Sequence, residues 1–204
     1  MCGSDDSVAA ALLAGAARVG HHALVPRLEL RPPRLVDWQR VHEWASRPEV
    51  CRFQVWGPNS PEETRAFVAA AVATWNESES ERSRYVWVAE RSDHGVLGMG
   101  ELNIRSRVHR QGEISYIVHP DLWGRGFGRQ IAEQVVAIGF ADFSLHRIFG
   151  TCDPRNEASA AILRSLGMQR EGSHRHTLLL RDGWRDSVLF AVIADEWTPR
   201  SPHP

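Results

Sequence analysis

Residues 114–140 restrict the possible folds of this chain more than any other stretch. Ile114 to Val118 is an apolar run of strand character, and Gln130 to Phe140 has helical spacing. Between them lies His119-Pro120-Asp121-Leu122-Trp123-Gly124-Arg125-Gly126-Phe127-Gly128-Arg129. A strand that hands over to a helix through three glycines turns tightly and exposes backbone N–H groups. Those groups, with the positive end of the helix dipole, suit a phosphate or pyrophosphate. A bulky side chain at Gly126 or Gly128 would hold an anion off the backbone. The loop therefore reads as the seat of a phosphate-bearing cofactor.

The flanking sequence fixes the setting of that loop. Leu28 to Arg31 alternates and stops at Pro32-Pro33. Leu35 to Trp44 has helical spacing, and Arg47 to Asn59 reads as a loop around Phe53-Gln54-Val55-Trp56. Ser60-Pro61-Glu62-Glu63 is a capping box opening a second helix to about Trp75. Strands are expected at Tyr85–Ala89, Val96–Ile104, weakened by Gly98 and Gly100, and Glu113–Val118. After the glycine loop and its helix come a strand at Arg147–Cys152 and a helix at Asn156–Leu166, stopped by Gly167. Met168–Leu180 and Trp184–Ile193 form a last pair, turned at Asp182-Gly183. Short turns make the early strands antiparallel, while the strand–helix–strand unit from 114 to 152 must be a parallel crossover. The expectation is an α/β (α+β) domain: a twisted, mixed, mostly antiparallel sheet of about seven strands flanked by four helices. Residues 1–26 read as an extension, partly helical or disordered; 27–197 as one domain; and 198–204 as a disordered tail.

Composition narrows the function. With 204 residues, 43% hydrophobic and 24% charged, the chain builds a proper core. A net charge of −1 without basic runs argues against nucleic acid. Every basic residue counted with lysine is in fact arginine. Cys2, Cys51 and Cys152 show no CxxC spacing, which fits a reducing cytoplasm better than disulfides. His21-His22 and His174-x-His176 lack a convincing ligand partner, so no metal is expected. The apolar run Val8–Ala17 is about half a membrane span and has aspartates before it, so neither a span nor a secretory signal is expected.

Four pieces of sequence carry a family resemblance. They are Trp56…Ser60-x-Glu62-Glu63, then Pro120-x-x-Trp123-Gly124-x-Gly126-x-Gly128. Next is Asn156-x-x-Ser159 with Leu166-Gly167-Met168, and last Glu171-Gly172-x-x-Arg175 with Gly183-x-x-Asp186. In this order, over roughly residues 27 to 195, the chain resembles the GCN5-related N-acetyltransferases (GNAT), most nearly the RimJ/RimL-like branch that acetylates ribosomal-protein N-termini. The resemblance implies acetyl-CoA as cofactor and direct attack of a primary amine on its thioester. It makes the loop Trp123, Gly124, Arg125, Gly126, Phe127, Gly128 and Arg129 cofactor-binding, with the pyrophosphate on the N–H groups of Arg125 through Arg129. It sets the pantetheine arm along Ile117 and Val118, with Asn156 bonding that arm or a water. It makes Ser159 the acid beside the sulfur. A tyrosine acid used elsewhere in the superfamily falls at Leu163, and a sixth-strand base glutamate falls at or near Leu178. Both groups are therefore missing, and Tyr116 reads as packing.

An ammonium must lose a proton before it attacks. Glu113 and Glu101, near the central strands where burial raises a carboxylate, are the base candidates; either also fits as a solvated or ion-paired strand residue. Acceptor pockets in such a fold draw on the loop between the first two helices and on the last hairpin, here Phe53, Val55, Trp56, Arg175, His176 and Trp184. Phe53, Trp56, Arg175 and Trp184 are the expected substrate contacts, the tryptophans clasping a flat or apolar group or serving the core. No strongly acidic loop favours a polycationic aminoglycoside. The acceptor is thus a peptide N-terminus or a small amine, a natural product acetylated for self-protection included, and a homodimer is possible. Two rivals remain. A Rossmann oxidoreductase is disfavoured because Gly124-x-Gly126-x-Gly128 is not GxGxxG and lies mid-chain behind antiparallel strands. A non-catalytic acyl-CoA-binding module would keep the fold without the chemistry.

Overall fold

The computed structural model describes residues 27–198, so the N-terminal extension and nearly all of the tail lie outside them. Chain order is β1 (Glu29–Arg31), α1 (Trp38–Ala45), α2 (Pro48–Cys51), α3 (Pro61–Thr74), β2 (Arg84–Arg91) and β3 (Gly95–Ser106). Then follow β4 (Gln111–Val118), α4 (Phe127–Ala141), β5 (Arg147–Cys152), α5 (Glu157–Ser165), β6 (Gln169–Leu180) and β7 (Gly183–Ile193). The seven strands form one sheet in the order β1-β2-β3-β4-β5-β7-β6, and β4–β5 is its parallel pair.

The anticipated α/β mixed sheet of seven strands is therefore present. The helix number differs: five α-helices flank it among the described residues, because Pro48–Cys51 makes a single turn inside the expected loop. That turn has proline near its start and buries Val50 and Cys51, so packing closes what sequence spacing could not reveal. The capping box is realised as expected. The Glu63 N–H donates to Ser60 Oγ at 3.1 Å, and the Ser60 N–H donates to Glu63 Oε2 at 2.7 Å.

Both faces of the sheet are covered. In β2, Tyr85, Trp87 and Ala89 join the core under α4, whereas Val86 and Val88 join a second core with Val41 and Trp44 of α1 and Val68 of α3. Alternation buries both faces of one strand, which is why β2 reads as a continuous apolar run. Gly98 and Gly100, which look like weaknesses in β3, set the depth of α4. A Cβ on Gly100 would lie 2.7 Å from Val135 Cγ2 and 2.9 Å from Ile131 Cγ2. Their small size lets the helix approach the sheet at its centre.

The feature that positions the site is a break in pairing. β4 stays on β3 as far as Val118↔Gly98, and β5 stays on β7 as far as Cys152↔Val188. Between β4 and β5, however, the register stops at Glu113↔Phe149. The sheet opens from Ile114 and Gly150 onward, and the open end faces the glycine loop and α5.

Candidate functional site

The upper rim of the split is built from backbone. Gly124 and Gly126 take φ values of +76° and +81°, and Gly126 caps α4. Side-chain-bearing residues enter this left-handed region at a cost, so the conformation favours glycine at 126. The first helical bond of α4 runs from the Gln130 N–H to the Gly126 carbonyl at 3.1 Å. Backbone N–H groups from Gly124 through Arg129 have no acceptor among the described residues, and no acidic side chain stands in the first turn. The result is a cluster of donors at a positive helix terminus. A Cβ on Gly126 would meet only the Gln130 side chain, at 4.0 Å, so the cluster opens outward. Arg125 is exposed, and the Nε of half-buried Arg129 is buried without a partner.

Gly128 has a different duty from the one its sequence position suggests. Its Cβ would stand 3.0 Å from Ile162 Cδ1 of α5 and 3.6 Å from Val118 Cγ2, so it fits α4 against α5 and β4 rather than clearing space for an anion. Trp123 turns its indole back on the strand, with Nε1 donating to the Val118 carbonyl at 2.9 Å. The His119 N–H donates to Leu97 O at 2.8 Å, and antiparallel alternation then directs the Ile117 main chain at β3. The expected pairing of both Ile117 and Val118 with an extended ligand is corrected accordingly. Only the even-numbered residues, Tyr116 and Val118, offer main-chain groups to the split, and Trp123 already fills the Val118 carbonyl.

Lower in the split lies a cleft of about 90 Å³, lined by Phe53, Gln54, Ser115, Tyr116, Thr151, Asn156, Ser159 and Arg185 among others. A larger hollow of about 460 Å³, between Trp75, Trp87 and Phe143, sits at the far end of α4 and shares no residue with it. In the cleft the Tyr116 hydroxyl bonds Ser159, 3.0 Å from Oγ and 3.1 Å from the carbonyl oxygen. Burial pushes the Tyr116 phenol well above its ordinary range, against the opposing pull of its bond to Ser159. It stays a neutral donor. Tyr116 packs against the core as its sequence suggested, and in addition lines the cleft with its hydroxyl on Ser159. Asn156 caps α5, its Oδ1 accepting the Ser159 N–H at 3.1 Å. Its amide NH₂ has no hydrogen-bond partner among the described residues.

Both expected base candidates lie on the face of the sheet opposite α4, and both are held by arginine. Glu101 accepts two bonds from Arg84, each 2.9 Å, and one from Asn103 at 2.7 Å. Glu113 accepts Arg105 on Oε2 alone. Its Oε1 has a single long contact, 3.5 Å from Thr151 Oγ1, at the cleft wall. Of the two readings open for each, the ion-paired one holds for both, and Glu113 alone keeps an oxygen that no arginine holds, against Thr151.

The expected substrate contacts divide. Phe53 lines the cleft. Trp56 instead packs against the core under α1 and α3. Arg175 is exposed on β6, and Trp184, 61% exposed, stacks on His176 with ring centroids 6.1 Å apart. Neither reaches the cleft, because alternation along β7 puts Trp184 on the face of Val188 and Phe190. The next residue, Arg185, points the other way and lines the cleft. Arg185 and Thr151 are the contacts sequence reasoning missed. The alternation of Val188, Phe190 and Val192 was the available signal.

A sequence profile for the acetyltransferase (GNAT) domain matches residues 27–169. The chain belongs to the GNAT acetyltransferase family. As a GNAT domain it is an N-acetyltransferase, and its relatives carry that description. It is 27% identical over 176 residues to the uncharacterized N-acetyltransferase YnaD of Bacillus subtilis, covering 86% of this chain and 99% of YnaD. A 55-residue stretch is 40% identical to the ribosomal protein uS5-alanine N-acetyltransferase of Escherichia coli, 27% of this chain and 28% of that one, in keeping with a RimJ/RimL-like GNAT. The GNAT fold is shared with spermidine N-acetyltransferase from Vibrio cholerae, solved in complex with CoA and spermine. The TM-score is 0.71 at 18% identity, over 83% of this chain and 96% of that one. No helix among the described residues is long and apolar enough to cross a membrane.

Proposed function

We propose that this GNAT domain transfers the acetyl group of acetyl-CoA to a primary amine, either a peptide N-terminus or a small molecule. The observation that carries the reading is the pairing break between β4 and β5, topped by unpartnered N–H groups from Gly124 to Arg129. The donor chemistry fits CoA: the N–H cluster suits a diphosphate, Arg125 and Arg129 add charge, and the split offers the main chain of Tyr116 and Val118 to an extended amide-bearing arm. Bound acetyl-CoA would supply the activated thioester.

The chain's own residues divide the proton work. Glu113 Oε1, beside Thr151, accepts the proton that an acceptor ammonium must shed, directly or through one water. Ser159 Oγ, held by the neutral Tyr116 hydroxyl, on a residue whose backbone N–H donates to Asn156, is the donor for a departing thiolate. Phe53 and Gln54 bound the acceptor side. Calorimetry with CoA and thiol release from acetyl-CoA with an amine and peptide panel test the reading. Uptake of CoA with amine-dependent thiol release is expected. Uptake without release across the panel would leave a binding module, and no uptake would overturn the reading entirely.

A further inference from the structure

Arg185 is 8% exposed and lines the cleft from the β7 side. Its Nη1 donates to the Phe53 carbonyl at 3.2 Å and its Nη2 to Ser187 Oγ at 2.8 Å, while its buried Nε has no partner. No carboxylate among the described residues lies within ion-pair distance of it. Asp153 is close enough to be felt electrostatically, yet Arg155 occupies it: Nε at 3.0 Å and the backbone N–H at 2.8 Å on Oδ1, and Nη2 at 2.7 Å on Oδ2. A further Arg155 nitrogen goes to Asp182 at 2.7 Å, and Glu113 is taken by Arg105. One guanidinium, Arg155, thus serves both Asp153 and Asp182, and the buried guanidinium of Arg185 has no carboxylate of its own in contact among the described residues. Such a charge is costly unless a partner arrives. The cleft mouth adds one more arginine with no ion pair among the described residues, Arg52, 5.1 Å from the Phe53 ring centroid.

We propose that Arg185 receives a carboxylate carried by the acceptor beside its amine, so that the enzyme acetylates a small amino-acid-like zwitterion and rejects polycations. This rests on the acetyl-transfer reading above. The guanidinium keeps Nη protons to spare for a carboxylate, and the cleft is small. A polyamine would bring further positive charge against Arg52 and Arg185, beyond the one ammonium that Glu113 Oε1 can serve.

The test compares kcat/KM for free amino acids, their amides and their decarboxylated amines, with aminoalkyl phosphates and spermidine alongside, in wild type, Arg185→Gln and Arg185→Lys. Acids should exceed the matched amides and amines at least tenfold in wild type. Arg185→Gln should erase that preference by raising KM for the acids alone, and Arg185→Lys should keep part of it. A second readout needs no turnover: the Arg185 Nε–H resonance should shift when N-acetyl amino acids are titrated in, and stay still with their amides. Equal use of acids and amides, a best rate with spermidine or with the phosphates, an equal loss on all acceptors in Arg185→Gln, or an unmoved resonance would each overturn the proposal. Failure of CoA to bind in calorimetry would strike the acetyl-transfer reading instead.

Discussion

The two walls of the split between β4 and β5 are made by different means. The wall toward α4 and α5 is mostly main chain: the N–H groups of 124–129, the even-numbered edge of β4, and the capped start of α5. The opposite wall is side chains drawn from three places, Phe53 after α2, Thr151 on β5 and Arg185 on β7, with Glu113 of β4 in contact with Thr151. A backbone site depends on conformation and is written in consecutive residues. A side-chain site depends on register between distant strands, where a slip of one residue sends a group to the other face. The first wall therefore tolerates drift in side-chain identity, and on the reading proposed above acceptor choice resides in the second.

The contrast is broken most severely at Gly126. Valine there must hold a φ of +81°, so the free loop would leave the donor cluster and CoA binding would have to restore it. Calorimetry should show CoA affinity falling about a hundredfold, roughly 2.7 kcal/mol, with the fold retained. An unchanged affinity would mean that the N–H cluster is not the anchor.

Asp153 tests the other wall. Burial works against its charge, but the Arg155 side chain and amide win and hold the carboxyl below the usual range. A depressed folded pKa contributes stability above the unfolded value, near 4, that is lost as pH falls through it. Asp153→Asn should cost about 2 kcal/mol at neutral pH in urea unfolding, because it strips a buried charge-assisted network. The gap to wild type should narrow in strong acid. A constant gap would assign the loss to something other than the charge.

Tyr116 lies between the two walls. Tyr116→Phe removes the hydroxyl that holds Ser159, and kcat should fall about tenfold, below the full range for general acid catalysis because Ser159 remains. Because burial raises the phenol, its loss of a proton should not produce the alkaline limb of a wild-type pH–rate profile. An alkaline limb that vanished in Tyr116→Phe would contradict the neutral-donor role.

How much of this could be read from sequence follows the same division. The glycine loop, the Ser60/Glu63 box, the crossover to β5 and the seven strands depend on near neighbours, and they were legible. The opening of the sheet at Ile114 was not, because it depends on where two strands stop pairing. Gly98 and Gly100 looked like flaws in β3 because the helix they admit is thirty residues away in sequence. The hairpin misled most instructively: the eye selects Trp184 for its size, yet the face belongs to Arg185.

That choice is checked by the smallest predicted effect. Trp184 is largely exposed, touches His176, and lies on the face of β7 away from the cleft. Trp184→Ala should leave kcat/KM within about twofold and stability within about 0.5 kcal/mol, as for surface positions without special partners. The comparison is sharp because its neighbour in sequence is predicted to govern acceptor choice. If Trp184→Ala instead raised KM tenfold while leaving CoA affinity alone, the acceptor would extend over the hairpin. The cleft seen in this structure would then be only its inner end.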